Sequence, residues 1–200
     1  MGDTASERST PTHFMGSEIR GGKIFAQNSG CNVEDRYPTA YNLGSGRAHW
    51  AGWINVDLNE SEADLQCDLR SLAVESDSAD AVAAIHVLEH FYQWEAEEVL
   101  TEWRRILKPG GKMILELPCM DKVLRYIGLC IEKKEPLQDF MTAFALWGDP
   151  KYKDPAMCHR WGWSMKQLHD VMENVGMREI EFVEPRYHFK FRDMRVEAIK

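Results

Sequence analysis

The segment from Asp80 to Ile85 restricts the fold more than any other. Ala81-Val82-Ala83-Ala84-Ile85 is apolar at every position. A strand with one wet face alternates apolar and polar residues, whereas a strand apolar throughout is covered on both faces. That is the pattern of a parallel strand inside a layered α/β domain. The neighbouring segments agree. Short strands are expected at 40–43, 53–58, 63–67, 80–85 and 113–117. Between the last two, Ala96, Val99, Leu100, Trp103, Ile106 and Leu107 fall at spacings of three and four, one apolar helix stripe. Lys108-Pro109-Gly110-Gly111 ends that helix.

Pro118 closes the strand at 113–117. A second helix is expected over 121–133, with Val123, Leu124, Ile127 and Ile131 on its inner side. Residues 135–163, with Pro136, Pro150 and Pro155, read as a partly helical insertion. Ser164-Met165-Lys166-Gln167 is a capping box. It opens a helix that turns Leu168, Val171, Met172 and Val175 inward and ends at Gly176. Two last strands, 179–183 and 194–199, are expected to pair antiparallel.

The chain has 200 residues, enough for one domain of ordinary size. Residues 1–37 are polar and read as a loosely ordered leader, and residues 38–200 as the domain. The leader lacks the apolar centre of a signal peptide, although Gly2 and Ser6 fit a loose myristoylation pattern. The formal net charge of −8 argues against a protein that coats nucleic acid, which wants a basic face. No run reaches the ~18 apolar residues of a membrane span. The five cysteines (31, 67, 119, 130 and 158) show no CxxC pair and no metal spacing, and read as free thiols of a cytoplasmic protein.

In parallel sheets, ligands bind beyond the carboxyl ends of the strands. Four such ends carry residues with chemistry: Gly44-Ser45-Gly46, Asp57, Asp68 and His86. A glycine turn lets a ligand approach the backbone. Asp57 can face the vicinal hydroxyls of a ribose, and Asp68 can accept from an exocyclic amine of adenine. Together they suit an adenosine-containing ligand; the competing reading is that both aspartates only cap turns. A dinucleotide is disfavoured, because the third glycine of G-x-G-x-x-G falls on His49 and no full helix follows to receive a pyrophosphate.

Tyr41-Asn42-Leu43-Gly44-Ser45-Gly46, Gly52-Trp53-Ile54-Asn55-Val56-Asp57-Leu58, Cys67-Asp68-Leu69, His86-Val87-Leu88-Glu89-His90-Phe91 and Leu107-Lys108-Pro109-Gly110-Gly111-Lys112 resemble, in order, the motifs of class I S-adenosylmethionine-dependent methyltransferases. The likeness is greatest to the short bacterial type found among polysaccharide-biosynthesis enzymes, and covers roughly residues 40–200. It implies a three-layer Rossmann-like methyltransferase fold with S-adenosylmethionine as cofactor. It also implies a small hydroxylated acceptor, of the glycan or nucleotide-sugar kind.

By the same resemblance, Asn42, Gly44, Ser45 and Gly46 lie along the methionine part of the cofactor. Asp57 and Leu58 meet the ribose, Asp68 and Leu69 flank the adenine, and His86 faces cofactor and acceptor. The departures are Asn42, where an acid is usual, and Ala48 at the third glycine position. Only residues 47–52 separate Gly46 from Trp53, too few for a crossover helix. The first crossovers are therefore expected to be turns.

A hydroxyl acceptor needs a base near neutral pH. His86 is the first candidate and His159 the second. Arg160, Trp161 and Trp163 are candidates for acceptor contact. The tail Arg186, His188, Lys190, Arg192 and Arg195 reads chiefly as a solvated hairpin face. Two rival functions follow from the same residues. The altered glycine motif also suits a methyltransferase-like binding module without catalysis. His86-Val87-Leu88-Glu89-His90 spells H-x-x-E-H, a zinc-hydrolase motif when it lies wholly on a helix. The strand reaching Ile85 opposes that, and no metal site is expected.

Overall fold

A computed structural model describes residues 37–200; the expected leader, with Gly2, Ser6 and Cys31, lies outside the described residues except for Tyr37. Six strands form one sheet: β1 (Ala40–Leu43), β2 (Ile54–Val56), β3 (Ala79–Ile85), β4 (Leu107–Pro118), β5 (Arg178–Val183) and β6 (Asp193–Ile199). Their order is β2-β1-β3-β4-β6-β5. β2, β1, β3 and β4 run parallel, while β6 pairs antiparallel with both β4 and β5. The expected mixed sheet with a C-terminal antiparallel hairpin is what forms. The expected strand at 63–67 is only a single parallel bridge, Val56 to Leu65.

The apolar stripe of α1 (Ala96–Ile106) buries Val99, Leu100, Trp103 and Ile106. They meet Leu43, Val56, Val82, Leu115 and Val196 from one sheet face, together with Leu168 and Met172 of α4 (Met165–Asn174). The capping box forms as expected: Ser164 Oγ accepts from Gln167 N at 3.2 Å, and Gln167 Oε1 accepts from Ser164 N at 3.3 Å.

The other face is covered differently. Small Ala40, Ala81 and Ala83 lie under Trp53, with Trp50 and Tyr37 beside them. Further along, Lys112, Glu116, Arg195 and Glu197 form a charged row, and Arg195 is fully buried. The reading of the tail as a solvated face holds for Arg186, His188 and Lys190, which are exposed, and is corrected at Arg195. Arg192 is buried too, its guanidinium on Asp193 at 2.6 Å.

Lys108-Pro109-Gly110-Gly111 follows the end of α1 but does not leave the sheet. It is an excursion inside β4, where the register jumps between Ala79–Leu107 and Ala81–Lys112. In α2 (Met120–Lys133), Val123 and Cys130 are buried, whereas Leu124 and Ile131 of the expected inner stripe are 58% and 71% exposed. The insertion holds one short helix, α3 (Ala143–Trp147), among 3₁₀ turns. Cys67, Cys119, Cys130 and Cys158 are free thiols.

Candidate active site

β1 and β2 lie side by side with Leu43 paired to Val56, so Gly44-Ser45-Gly46 and Asp57 emerge together. Ser45 N donates to Val56 O at 3.0 Å, which fixes the start of the turn. Gly46 N then donates to Asp57 Oδ2 at 2.9 Å. Asp57 Oδ1 accepts from Asn59 N and Glu60 N, at 2.9 and 3.0 Å. Asp57 thus caps a turn and also ties the glycine loop to β2. With about two acceptor positions per carboxylate oxygen, Oδ2 keeps one for a ligand hydroxyl.

The two glycines differ. Both have positive φ, +65° at Gly44 and +48° at Gly46. A Cβ on Gly44 would lie 2.6 Å from Val87 Cγ2, so this glycine admits its own neighbour in β3's exit rather than a ligand. Around Gly46 a Cβ would meet nothing within 4 Å. The open backbone expected at both positions is found at Gly46.

Asn42 has no such opening. It is buried, and its Nδ2 donates to Ala48 O at 2.9 Å and Asn55 Oδ1 at 3.1 Å. Asn55 Oδ1 also accepts from Trp50 N at 2.8 Å, and its Nδ2 donates to Asp64 Oδ2 at 2.9 Å. This polar lattice does the work of the missing crossover helix. It makes Asn42 a tie between β1 and the turn that enters β2.

Asp68 lies past the Leu65 bridge and is paired with Arg70, Nη2 to Oδ2 at 2.6 Å. The Arg70 hydrogen bond holds its carboxyl below the usual range. Leu69 is buried, and its carbonyl accepts from Trp103 Nε1 at 3.0 Å. Leu58 is exposed at the rim next to Asp57.

His86 leaves β3 with φ of +56°, a strained value for a residue with a side chain. Its Nδ1 is 2.9 Å from Glu89 Oε1, and its Nε2 is 3.4 Å from Asp193 Oδ2. Burial alone would lower its pKa. The charges of Glu89 and Asp193 outweigh burial and raise it to about 9. Both ring nitrogens thus stand near carboxylates, which favours the charged ring.

The His188 ring centroid is 4.0 Å from that of His86. Surrounding protein atoms and the charge of His86 hold His188 below the ordinary histidine range, so it is neutral. The loop carrying it is pinned by buried Glu116, which accepts from Arg186 N, Tyr187 N and His188 N at 2.8, 2.9 and 3.0 Å. His188 and Glu116 were not singled out for the site. Both depend on the β4–β6 register, which a linear motif does not carry.

His159 is mostly buried, with Nδ1 on Ala145 O at 2.9 Å and Nε2 4.0 Å from Glu89 Oε1. Burial lowers its pKa. Arg160 lies over the Tyr92 ring, and Trp161 is partly open. Trp163 is a core residue at 2% exposure, its backbone bridged to Cys119, and it lies apart from the exposed Trp161 face. His86 sits at a strand end and Leu88–His90 is one 3₁₀ turn, so H-x-x-E-H does not form a helical zinc motif.

Residues 45–115 match a family described as a methyltransferase domain. Over that stretch, less than half of the chain, the sequence is similar to this family. The chain's fold is that of solved S-adenosylmethionine-dependent methyltransferases. One from Methanosarcina mazei is 16% identical with a TM-score of 0.56, over 81% of this chain and 92% of that one. Another, from Archaeoglobus fulgidus, is 15% identical with a TM-score of 0.55, over 81% and 86%. No curated protein matches the chain.

Proposed function

We propose that the protein moves a methyl group from S-adenosylmethionine to a small hydroxylated acceptor, of the saccharide or nucleotide-sugar kind. The observation that carries the reading is the Gly46 N to Asp57 Oδ2 bond of 2.9 Å, which sets an open backbone turn beside a carboxylate with a spare acceptor position. Ser45 and Gly46 hold the methionine end, with Gly44 shaping the turn against Val87. Asp57 accepts from ribose hydroxyls. Leu58, Asp68 and Leu69 border the base.

The bound cofactor supplies an activated methyl group, so the protein's part is to align the acceptor and exclude water. The acceptor oxygen must also lose a proton. His188, neutral and exposed, is the group beside His86 with a lone pair available, and the His86 cation steadies the oxygen as charge develops. Trp161 and Arg160, at the mouth of the insertion, offer a stacking face and a charge to the acceptor.

Calorimetry with S-adenosylhomocysteine tests the donor half. The wild type binds, and Asp57→Ala weakens binding roughly ten- to a hundredfold, the loss of a charge-assisted bond of about 1.5–3 kcal/mol. No binding to the wild type, or equal binding by the variant, overturns the assignment. Transfer of labelled methyl to a panel of hexoses and nucleotide-sugars tests the acceptor half.

A further inference from the structure

Glu89, His90 and His159 each offer one ligand atom, and these atoms lie within 4.8 Å of one another. Glu89 is almost fully buried, its side chain 2% exposed. Neither of its carboxylate oxygens has a hydrogen-bond partner among the described residues. His86 stands close to Oε1 but without hydrogen-bond alignment. The His86 charge offsets part of the burial cost at Oε1, but Oε2 has no hydrogen-bond donor among the described residues, and a buried carboxylate oxygen in that state points to a further partner.

The two imidazoles are set to be part of the same site. His90 Nδ1 is 3.2 Å from Cys158 O, and His159 Nδ1 is 2.9 Å from Ala145 O. A carbonyl can only accept, so in both rings Nδ1 carries the proton and Nε2 the lone pair. Metal-binding histidines show this arrangement, one ring nitrogen donating to a carbonyl while the other meets the ion. The 3₁₀ turn supplies Glu89 and His90, and the insertion brings His159 across to them. Arg160 N fixes that approach by donating to Glu89 O at 2.7 Å.

We propose that Glu89, His90 and His159 form a site for a divalent transition-metal ion of the zinc class. Two neutral imidazoles and one carboxylate favour zinc over magnesium or calcium, which prefer oxygen ligands. Ligand bonds of about 2.0–2.1 Å place two ligand atoms at most roughly 4 Å apart, so binding draws these side chains inward by about 1 Å. Three protein ligands leave a fourth position for water or an acceptor oxygen. That last role rests on the methyl-transfer reading; metal uptake itself does not.

The test uses the full chain, stripped with chelator and titrated with cobalt(II), then zinc(II). One cobalt per chain is expected, with visible ligand-field absorption, no sulfur-to-cobalt charge-transfer band, and displacement by zinc. Glu89→Gln and His159→Ala each weaken uptake at least tenfold. His159→Ala, on the insertion, serves where Glu89→Gln fails to fold, and His169→Ala on α4 binds as the wild type does. No stoichiometric uptake, a thiolate band, or wild-type uptake by His159→Ala overturns the proposal. S-adenosylhomocysteine binding is measured on the same stripped protein. Cobalt uptake without it sinks only the methyl-transfer reading, and the reverse sinks only the metal site.

Discussion

Asn42 of β1 donates through Nδ2 to Asn55 Oδ1 of β2 at 3.1 Å, and the two residues face each other in the strand register. Around this buried pair, Trp50 N, Ala48 O, Trp53 O and Asp64 Oδ2 complete a lattice that reaches the surface at Ala48 and Asp64. It positions the turn that enters β2, and therefore Asp57.

Asn55→Ala is expected to destabilise the protein by about 2–3 kcal/mol, since Asn42 Nδ2 and Trp50 N lose a buried acceptor. Chemical denaturation measures it. A change within about 0.5 kcal/mol, the range of ordinary surface substitutions, would show the lattice to be dispensable.

The two glycines of the turn should respond unequally to alanine. Gly44→Ala combines left-handed backbone strain with a clash at Val87, and should cost about 2–4 kcal/mol. Gly46→Ala has open space and should cost about 1–2 kcal/mol from strain alone. Adding Val87→Ala should recover part of the loss at Gly44 and none at Gly46. Equal melting temperatures for the two single variants would contradict the packing.

Glu116→Gln keeps the shape of the side chain but turns an amide NH₂ toward backbone donors and takes from buried Arg195 one of its two carboxylates, leaving Glu197. A loss of about 3 kcal/mol is expected. Amide exchange at 186–188 should speed up at least tenfold relative to β3. Unchanged exchange at these amides would mean that something else holds the His188 loop.

Asp193 gives a pH signature. Burial would raise its pKa, but the charge of His86 at 3.4 Å, followed by the hydrogen bonds and charge of Arg192, holds it far below the usual range. A depressed carboxyl contributes stability above its unfolded value of about 3.9, and this is lost as pH falls toward the folded value. The stability gap between wild type and Asp193→Asn should therefore be full at pH 6 and shrink below about pH 4. Urea midpoints at pH 6, 4 and 2.5 measure it. A gap independent of pH would rule out the pairing.

Much of the sheet was legible because its strands are short apolar runs ended by glycine or aspartate, and its helices show clean stripes. β3, α1 and α4 form where their patterns place them. The strand at 63–67 reduced to one bridge because Asp64 is spent on Asn55 rather than on a ladder. Leu124 and Ile131 look inward by spacing, yet spacing does not say which side of a helix finds a neighbour. Gly44, Gly46 and Asp57 come together as read. The His86 surroundings could not be read. Asp193, His188 and His159 reach it from β6 and the insertion, and the carboxylates that charge it are distant in sequence or hidden in a motif that suggests another use.

The two faces of the sheet should part company in the cold. The helical face is held by apolar burial, whose driving force fades as water is cooled. The opposite face, from Asn42 and Asn55 across to Glu116 and Arg195, rests on polar contacts that lack this temperature dependence. Near freezing, α1 and α4 should loosen first, while the loop carrying His188 keeps its place.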